Sequence, residues 1–216
     1  LWTAFTQFFA FPEEKLSVVS SHRLREGYGI TPAVVKRILS LGPTLVISAD
    51  KGSSDEPRIA KLAEAGIDVI VTDHHAVPVE GPPASAYACV NPTRAESGFD
   101  PTICGAAVAF FCMALVRRKL IELSAGQEDA MKPPGLSPLL DYVAVATIAD
   151  CVSLRPDRAR VNRVLVRYGL EQINKQTRPC WAVFCAERSG DPVDSQTVGF
   201  QLAPAIAAAG RLDWAD

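Results

Sequence analysis

Short β-branched runs alternate with helical stretches along the first third of the chain, and this alternation constrains the fold more than any other feature. Thr44–Ala49 and Ile67–Thr72 are brief runs rich in Val and Ile, each following a Gly or Pro, as strands buried in a sheet do. Between them, Glu56–Ala65 has helical spacing and is ended by Gly66. Thr31 followed by Pro32 reads as an N-cap and first helical position, opening a helix to about Leu41 that Gly42-Pro43 breaks. Leu16–Ser20 reads as a further strand, Ala86–Val90 as one stopped by Asn91-Pro92, and Leu1–Phe11 as an aromatic helix ended by Pro12. Strand–helix–strand succession implies a parallel sheet with crossover helices. From Pro101 onward helical patterns dominate, over roughly 103–122, 137–150, 157–173, 178–187 and 194–207, with Ser124–Ser137 as a loop. The expected fold class is α/β, with strand–helix alternation in 1–92 and mostly helix in 101–216.

Composition narrows the functional classes. The 216 residues suit one large domain, and 48% hydrophobic content is enough for a core. A net charge of −2 exerts no general pull on a polyanion, so local basic groups and metal ions would have to supply it. Six cysteines are scattered without a Cys-x-x-Cys pair, which favours reduced thiols in a cytoplasmic protein over disulfides or a zinc site. No apolar run approaches the roughly 18 residues of a membrane span, and no signal-peptide layout is present. The chain begins with Leu rather than Met, so its start is expected to be trimmed, processed or partial.

The chemistry gathers at strand ends. Asp73-His74-His75 closes the run Ile67–Thr72 and holds two of the three histidines. Ligands of open α/β sheets collect at the carboxyl ends of strands, and adjacent imidazoles are poor helix caps. Asp50, followed by Lys51-Gly52, closes the preceding strand, and Asp150 closes the apolar run Tyr142–Ala149. Carboxylates with imidazoles form a mixed oxygen and nitrogen donor set suited to divalent manganese, magnesium or zinc. Such a set supports phosphoester hydrolysis by two metals. On the residues alone, a polar loop for the triplet and a simple helix cap for Asp150 remain open alternatives.

An ordered series of motifs resembles one family. Asp73-His74-His75 after Val-Ile-Val-Thr is similar to the signature of the DHH phosphoesterase superfamily. Arg23 with Glu26-Gly27-Tyr28-Gly29, the segment Cys104–Phe110, Ala146–Asp150 and Ala208–Leu212 resemble its RecJ branch of single-strand-specific exonucleases, in that order. The resemblance implies that Asp50 bridges metals, that His74 and Asp150 are metal ligands, and that His75 faces the metals or the scissile phosphate. Asp73 would orient the pair by hydrogen bonding. Arg23, Tyr28 and Arg211 would contact phosphate or nucleotide, and Gly105 would let a helix start approach the phosphate. It further implies a Mn2+ or Mg2+ cofactor, single-stranded DNA as partner (with replication or repair proteins besides), a monomer, no membrane, and 5′→3′ digestion with duplex excluded by a narrow channel.

The departures from the family are specific. The family opens on a strand ending in an Asp-x-Asp motif, which is not found before Leu1–Phe11, so residues 1–216 are expected to be a DHH catalytic domain incomplete at its N-terminus. The associated C-terminal and oligonucleotide-binding domains are expected to be absent, and the chain alone to be weakly active or inactive. Lys51 stands where the family has Asn, and Ala205 and Ala207 where it has Arg and Asn. Two alternatives follow: a phosphoesterase of oligoribonucleotides, cyclic dinucleotides or nucleoside bisphosphates, and a catalytically silent scaffold.

Overall fold

The computed structural model describes residues 1–127, 130–188 and 191–212, the side chains of Ala209, Arg211 and Leu212 excepted. Three strands, β1 (Leu45–Ala49), β2 (Asp68–Thr72) and β3 (Ala88–Val90), form one parallel sheet in the order β1-β2-β3. Helix α1 (Pro32–Leu41) precedes β1, and α2 (Glu56–Glu64) connects β1 to β2. Then come α3 (Gly105–Ser124), α4 (Leu140–Ala149), α5 (Arg160–Asn174), α6 (Pro179–Ala186), a short α7 (Ser195–Thr197) and α8 (Ala203–Leu212). A π-helical turn, Val198–Leu202, joins the last two.

Local chemistry sets these boundaries. The Thr31 side chain accepts a hydrogen bond from the Val34 N–H, Pro32 occupies the first helical position, and Gly42 closes α1 in the left-handed conformation at φ 58°. In β2, Val69 and Val71 are fully buried and pack with Val35, Ile38, Ile59 and Leu62 of α1 and α2. Helix α3 lies against β1 and β2 and joins a second cluster, in which Ile103, Ala107 and Val108 meet Val143 and Leu165. The sheet is thus covered by helices, and its strand ends stay open at the carboxyl edge.

The segment 16–20, expected as a strand, is not one. Leu16 is extended at φ −110°, but no ladder partner is found for 16–20 among the described residues, and Val18 is 75% exposed. β-Branched side chains favour a strand only where a neighbouring strand and a packed face receive them. Leu1–Phe11 is helical over Trp2–Phe8, ending in a π turn, Ala4–Phe8. The helical stretches expected after 101 appear with small boundary shifts, and the run 142–150 is helix α4 capped by Asp150.

Helices α4 and α5 approach closely at Gly169, where an added Cβ would lie 3.0 Å from the Leu140 carbonyl carbon and closer still to Ala144 Cβ. Gly to Ala in a free helix gains about 1 kcal/mol, whereas overpacking costs about 1–3 kcal/mol. We expect Gly169→Ala to lower the melting temperature by several degrees in calorimetry. A raised melting point would show that α5 can move away without cost.

Candidate metal centre

The register Ala49↔Thr72 and Thr72↔Val90 places Asp50, Asp73 and Asn91 side by side just beyond the three strands. Asp50 takes a left-handed conformation at φ 62°, costly for most side chains but tolerated by Asp. Its N–H still donates to the Thr72 carbonyl at 2.9 Å, so the turn begins directly at the ladder's end. Gly52 at φ 118° completes the turn, where a Cβ would come within 2.8 Å of Ser48 Oγ.

Asp73 is 2% exposed and organises the loop that follows β2. One carboxylate oxygen accepts from the N–H groups of His74 (2.8 Å) and His75 (3.2 Å) and from His75 Nδ1 (2.7 Å); the other accepts from Ser53 N–H at 3.0 Å. Burial alone would raise the Asp73 pKa, but the hydrogen bonds from His75 and Ser53 hold it at about 2. An ionised carboxylate only accepts, so His75 Nδ1 donates to Asp73 and Nε2 is the ring nitrogen turned away from that bond.

His74 Nε2 lies 3.1 Å from Asp50 Oδ1 and 3.3 Å from Asp150 Oδ2. The atom is buried, yet neither contact has hydrogen-bond geometry. Contact with Asp50 raises the imidazole above its ordinary pKa; burial opposes this, and the charges of Asp150, Asp50 and Asp73 add to it. Burial pushes the Asp150 carboxyl up, with His74 opposing and Asp50 reinforcing. Asp50, His74 and His75 offer donor atoms all within 4.8 Å of one another. The His74 and His75 imidazoles with the Asp50 carboxylate, and Asp150 beside the unbonded His74 Nε2, form a mixed nitrogen and oxygen donor set that fits a divalent cation.

Gly105 opens α3 directly against this group. A Cβ there would fall on the Asp50 carboxylate, 2.8 Å from its Cβ. Glycine therefore makes room for Asp50 itself. A cleft of about 550 Å³ runs from Asp50, Gly105 and Asp150 past Arg23, Ala146 and Tyr142. The Arg23 guanidinium stacks on Tyr28 at 4.4 Å, and Tyr28 is 73% exposed. Their loop is tied down by Glu26, which accepts from Arg37 at 2.7 and 2.8 Å, and by Asp55, which accepts from Ile30 N–H at 3.1 Å. Arg211 belongs to α8, but its side chain lies outside the described residues.

Sequence reading passed over Asn91 and Ser53. Asn91 Nδ2 donates to Ser53 Oγ and to the His75 carbonyl, both at 2.8 Å, and Thr93 Oγ1 donates to that carbonyl at 3.0 Å. The signal was available, because Asn91 ends its strand as Asp50 and Asp73 end theirs.

A parallel α/β sheet with carboxylates and imidazoles gathered at its strand ends defines the class of the candidate site as one able to hold a divalent metal. Residues 2–147 match the model of the DHH family, N-terminal domain, and the chain belongs to that family. It is 38% identical over 196 residues to the single-stranded-DNA-specific exonuclease RecJ of Haemophilus influenzae, covering 89% of this chain and 33% of the relative. The Escherichia coli RecJ is 35% identical over 196 residues, again 89% of this chain and 33% of its own length. The chain thus spans about a third of these relatives. Among solved structures, a RecJ exonuclease bound to manganese superposes with a TM-score of 0.72 at 31% identity, over 90% of this chain and 45% of that one. The Thermus thermophilus RecJ with Mn2+ gives 0.64 at 28% identity, over 82% and 25%.

Two outcomes follow from the hydrogen bonding. Asp73→Asn removes the charge that four donors share, so we expect a loss of about 1–3 kcal/mol, read from chemical denaturation. Glu26 is held at about 2, against 4.5 ordinarily, mainly by the Arg37 hydrogen bond and then by the His22 N–H. Its contribution is therefore complete above pH 4.5 and lost as the pH falls through about 2. Wild type and Glu26→Gln should melt apart at neutral pH and converge across that window. A gap that persists at the acid end would count against the Arg37 link.

Proposed function

We propose that residues 1–216 act as a DHH catalytic domain that hydrolyses phosphodiesters of single-stranded DNA from the 5′ end with manganese or magnesium. The observation that carries this reading is His74 Nε2, buried between Asp50 and Asp150 without a hydrogen bond. Relatives named as single-stranded-DNA-specific exonucleases, and neighbours solved with manganese, support the substrate and the ion.

On this reading Asp50, His74 and Asp150 hold metal, with His75 facing the same space. Bound manganese or magnesium supplies a polarised phosphoryl oxygen and an acidified water. The residues of the chain do the positioning. Asp73 fixes the His75 tautomer and, through the His74 N–H, the backbone of its neighbour. Asn91 clamps the far side of the loop through the His75 carbonyl. Gly105 keeps the Asp50 carboxylate in place by leaving it space. Arg23, on the same cleft, is placed to take a substrate phosphate, steadied by Tyr28. Arg211 is proposed for the same task from the resemblance alone.

The same reading makes the protein a monomer working in the cytoplasm beside replication or repair proteins. Free thiols at all six cysteines accord with a reducing compartment. Among the described residues no helix is long and apolar enough to cross a membrane.

The test is digestion of 5′- and 3′-labelled single strands by the intact gene product that contains this chain, with and without manganese. We expect metal-dependent release from the 5′ end. His74→Ala should lower that activity by more than about 100-fold while circular dichroism and melting stay close to wild type. Unchanged turnover in the variant would overturn the assignment of His74, and no digestion by the wild type would overturn the function.

A further inference from the structure

The long cleft beyond the candidate metal centre is lined mostly by small residues. Ala106, Ala109, Ala146 and Ala149 are among its lining residues, and its charged side chains are Arg23, Asp50 and Asp150. Phe110 and Tyr142 are its aromatic residues, and Tyr142 is the one shared with a second depression. It stands eight residues before Asp150 on α4, about 12 Å away along the helix axis, and is 41% exposed. It also lines an adjoining apolar groove with Trp181, Ala203 and Ile206. The two depressions therefore meet at this ring.

The ring is held firmly. The Arg178 guanidinium stacks on it at 4.5 Å, and the Trp181 ring lies 6.4 Å away, tilted by 56°. Arg178 is in turn fixed by the buried Asp141, which accepts its Nε–H at 2.5 Å and the Trp181 Nε1–H at 2.7 Å. Arg178 also donates to the Pro138 carbonyl at 3.3 Å. An aromatic surface fixed in advance loses little conformational freedom when a flat ligand stacks on it. Its cation is already neutralised by Asp141, so this end of the cleft offers a π-face rather than a phosphate-binding charge.

On the single-strand reading above, we propose that Tyr142 is a base-stacking residue that receives a nucleobase of the substrate away from the reacting phosphate. Base–aromatic stacking is tolerant of sequence and adds affinity without ionic contacts. Tyr142 then sets KM and leaves the chemical step to the groups around His74.

The experiment compares binding of a fluorescent oligothymidylate with that of an abasic strand of equal length, using the intact gene product with Mn2+. The proteins are wild type, Tyr142→Phe, Tyr142→Leu and Tyr142→Ala, each with a melting curve. Wild type and Tyr142→Phe should hold the base-bearing strand about tenfold tighter than the abasic one. Tyr142→Leu, which keeps apolar bulk without the π-face, should lose most of that preference, as should Tyr142→Ala. The loss should be equal at about 50 and 200 mM salt, since no phosphate contact is removed. In digestion it should appear in KM, with kcat nearly unchanged. Equal weakening for both strands, or no weakening in Tyr142→Leu and Tyr142→Ala, overturns the stacking role while leaving the exonuclease reading intact. A wild type that digests single strands without preferring bases does the same, and one that neither binds nor digests them overturns both.

Discussion

The buried carboxylate of Asp73 is the interaction on which the site depends. A charge taken out of water is expensive unless every acceptor position is used. Here Ser53, His74 and His75 supply the donors, and all three donate a backbone N–H, His75 adding its ring Nδ1. The loop therefore cannot relax without stranding the charge. The bond to Ser53 also ties the end of β2 to the turn after β1, and Asn91 carries the connection on to β3. The strand ends are thus coupled by polar contacts at the one edge where the helices leave the sheet uncovered.

That coupling explains why the groups beyond it can be left incompletely satisfied. Asp50 sits in a left-handed turn and His74 Nε2 is buried without a hydrogen bond, both unfavourable in an isolated loop. Gly105 makes the arrangement possible by omitting the Cβ that would displace Asp50. Small residues continue the theme along the cleft, where alanines of α3 and α4 keep the floor open. Stability is concentrated in the Val- and Ile-rich sheet and in the α4–α5 contact, whereas the carboxyl edge carries the strain.

Much of this was legible in the sequence because the signals were local. Thr31-Pro32 and Gly42 bound α1 by capping chemistry, and Val69, Ile70 and Val71 form a strand that β1 and β3 flank and α1 and α2 cover, as their apolar run leads one to expect. Asp50, Asp73, His74, His75 and Asp150 were each readable as polar residues closing apolar runs, and the structure brings them to one place. What failed needed a partner. Leu16–Ser20 has strand-forming residues, but pairing is a property of two segments and no pattern in one of them reports it. Asn91 does stop its strand as expected, but the bond of its amide to Ser53, 38 residues away, has no local signal. The contact of Gly105 with Asp50, which joins the end of β1 to the start of α3, was likewise not visible in either segment alone.

The charge distribution gives the site its logic. A net charge of −2 and two carboxylates at the mouth of the cleft repel a polyanion rather than attract it. Among the described side chains Arg23 is the cation lining that cleft, and Arg178, stacked on Tyr142, is neutralised by Asp141. On the proposed reading, divalent ions at Asp50, His74 and Asp150 would supply much of the attraction for a phosphodiester, which would couple cofactor and substrate electrostatically. On the same reading, a strand held through metal and Arg23 also meets apolar and aromatic side chains of the cleft, Phe110 and Tyr142 among them, contacts that a duplex with its bases already stacked would use least.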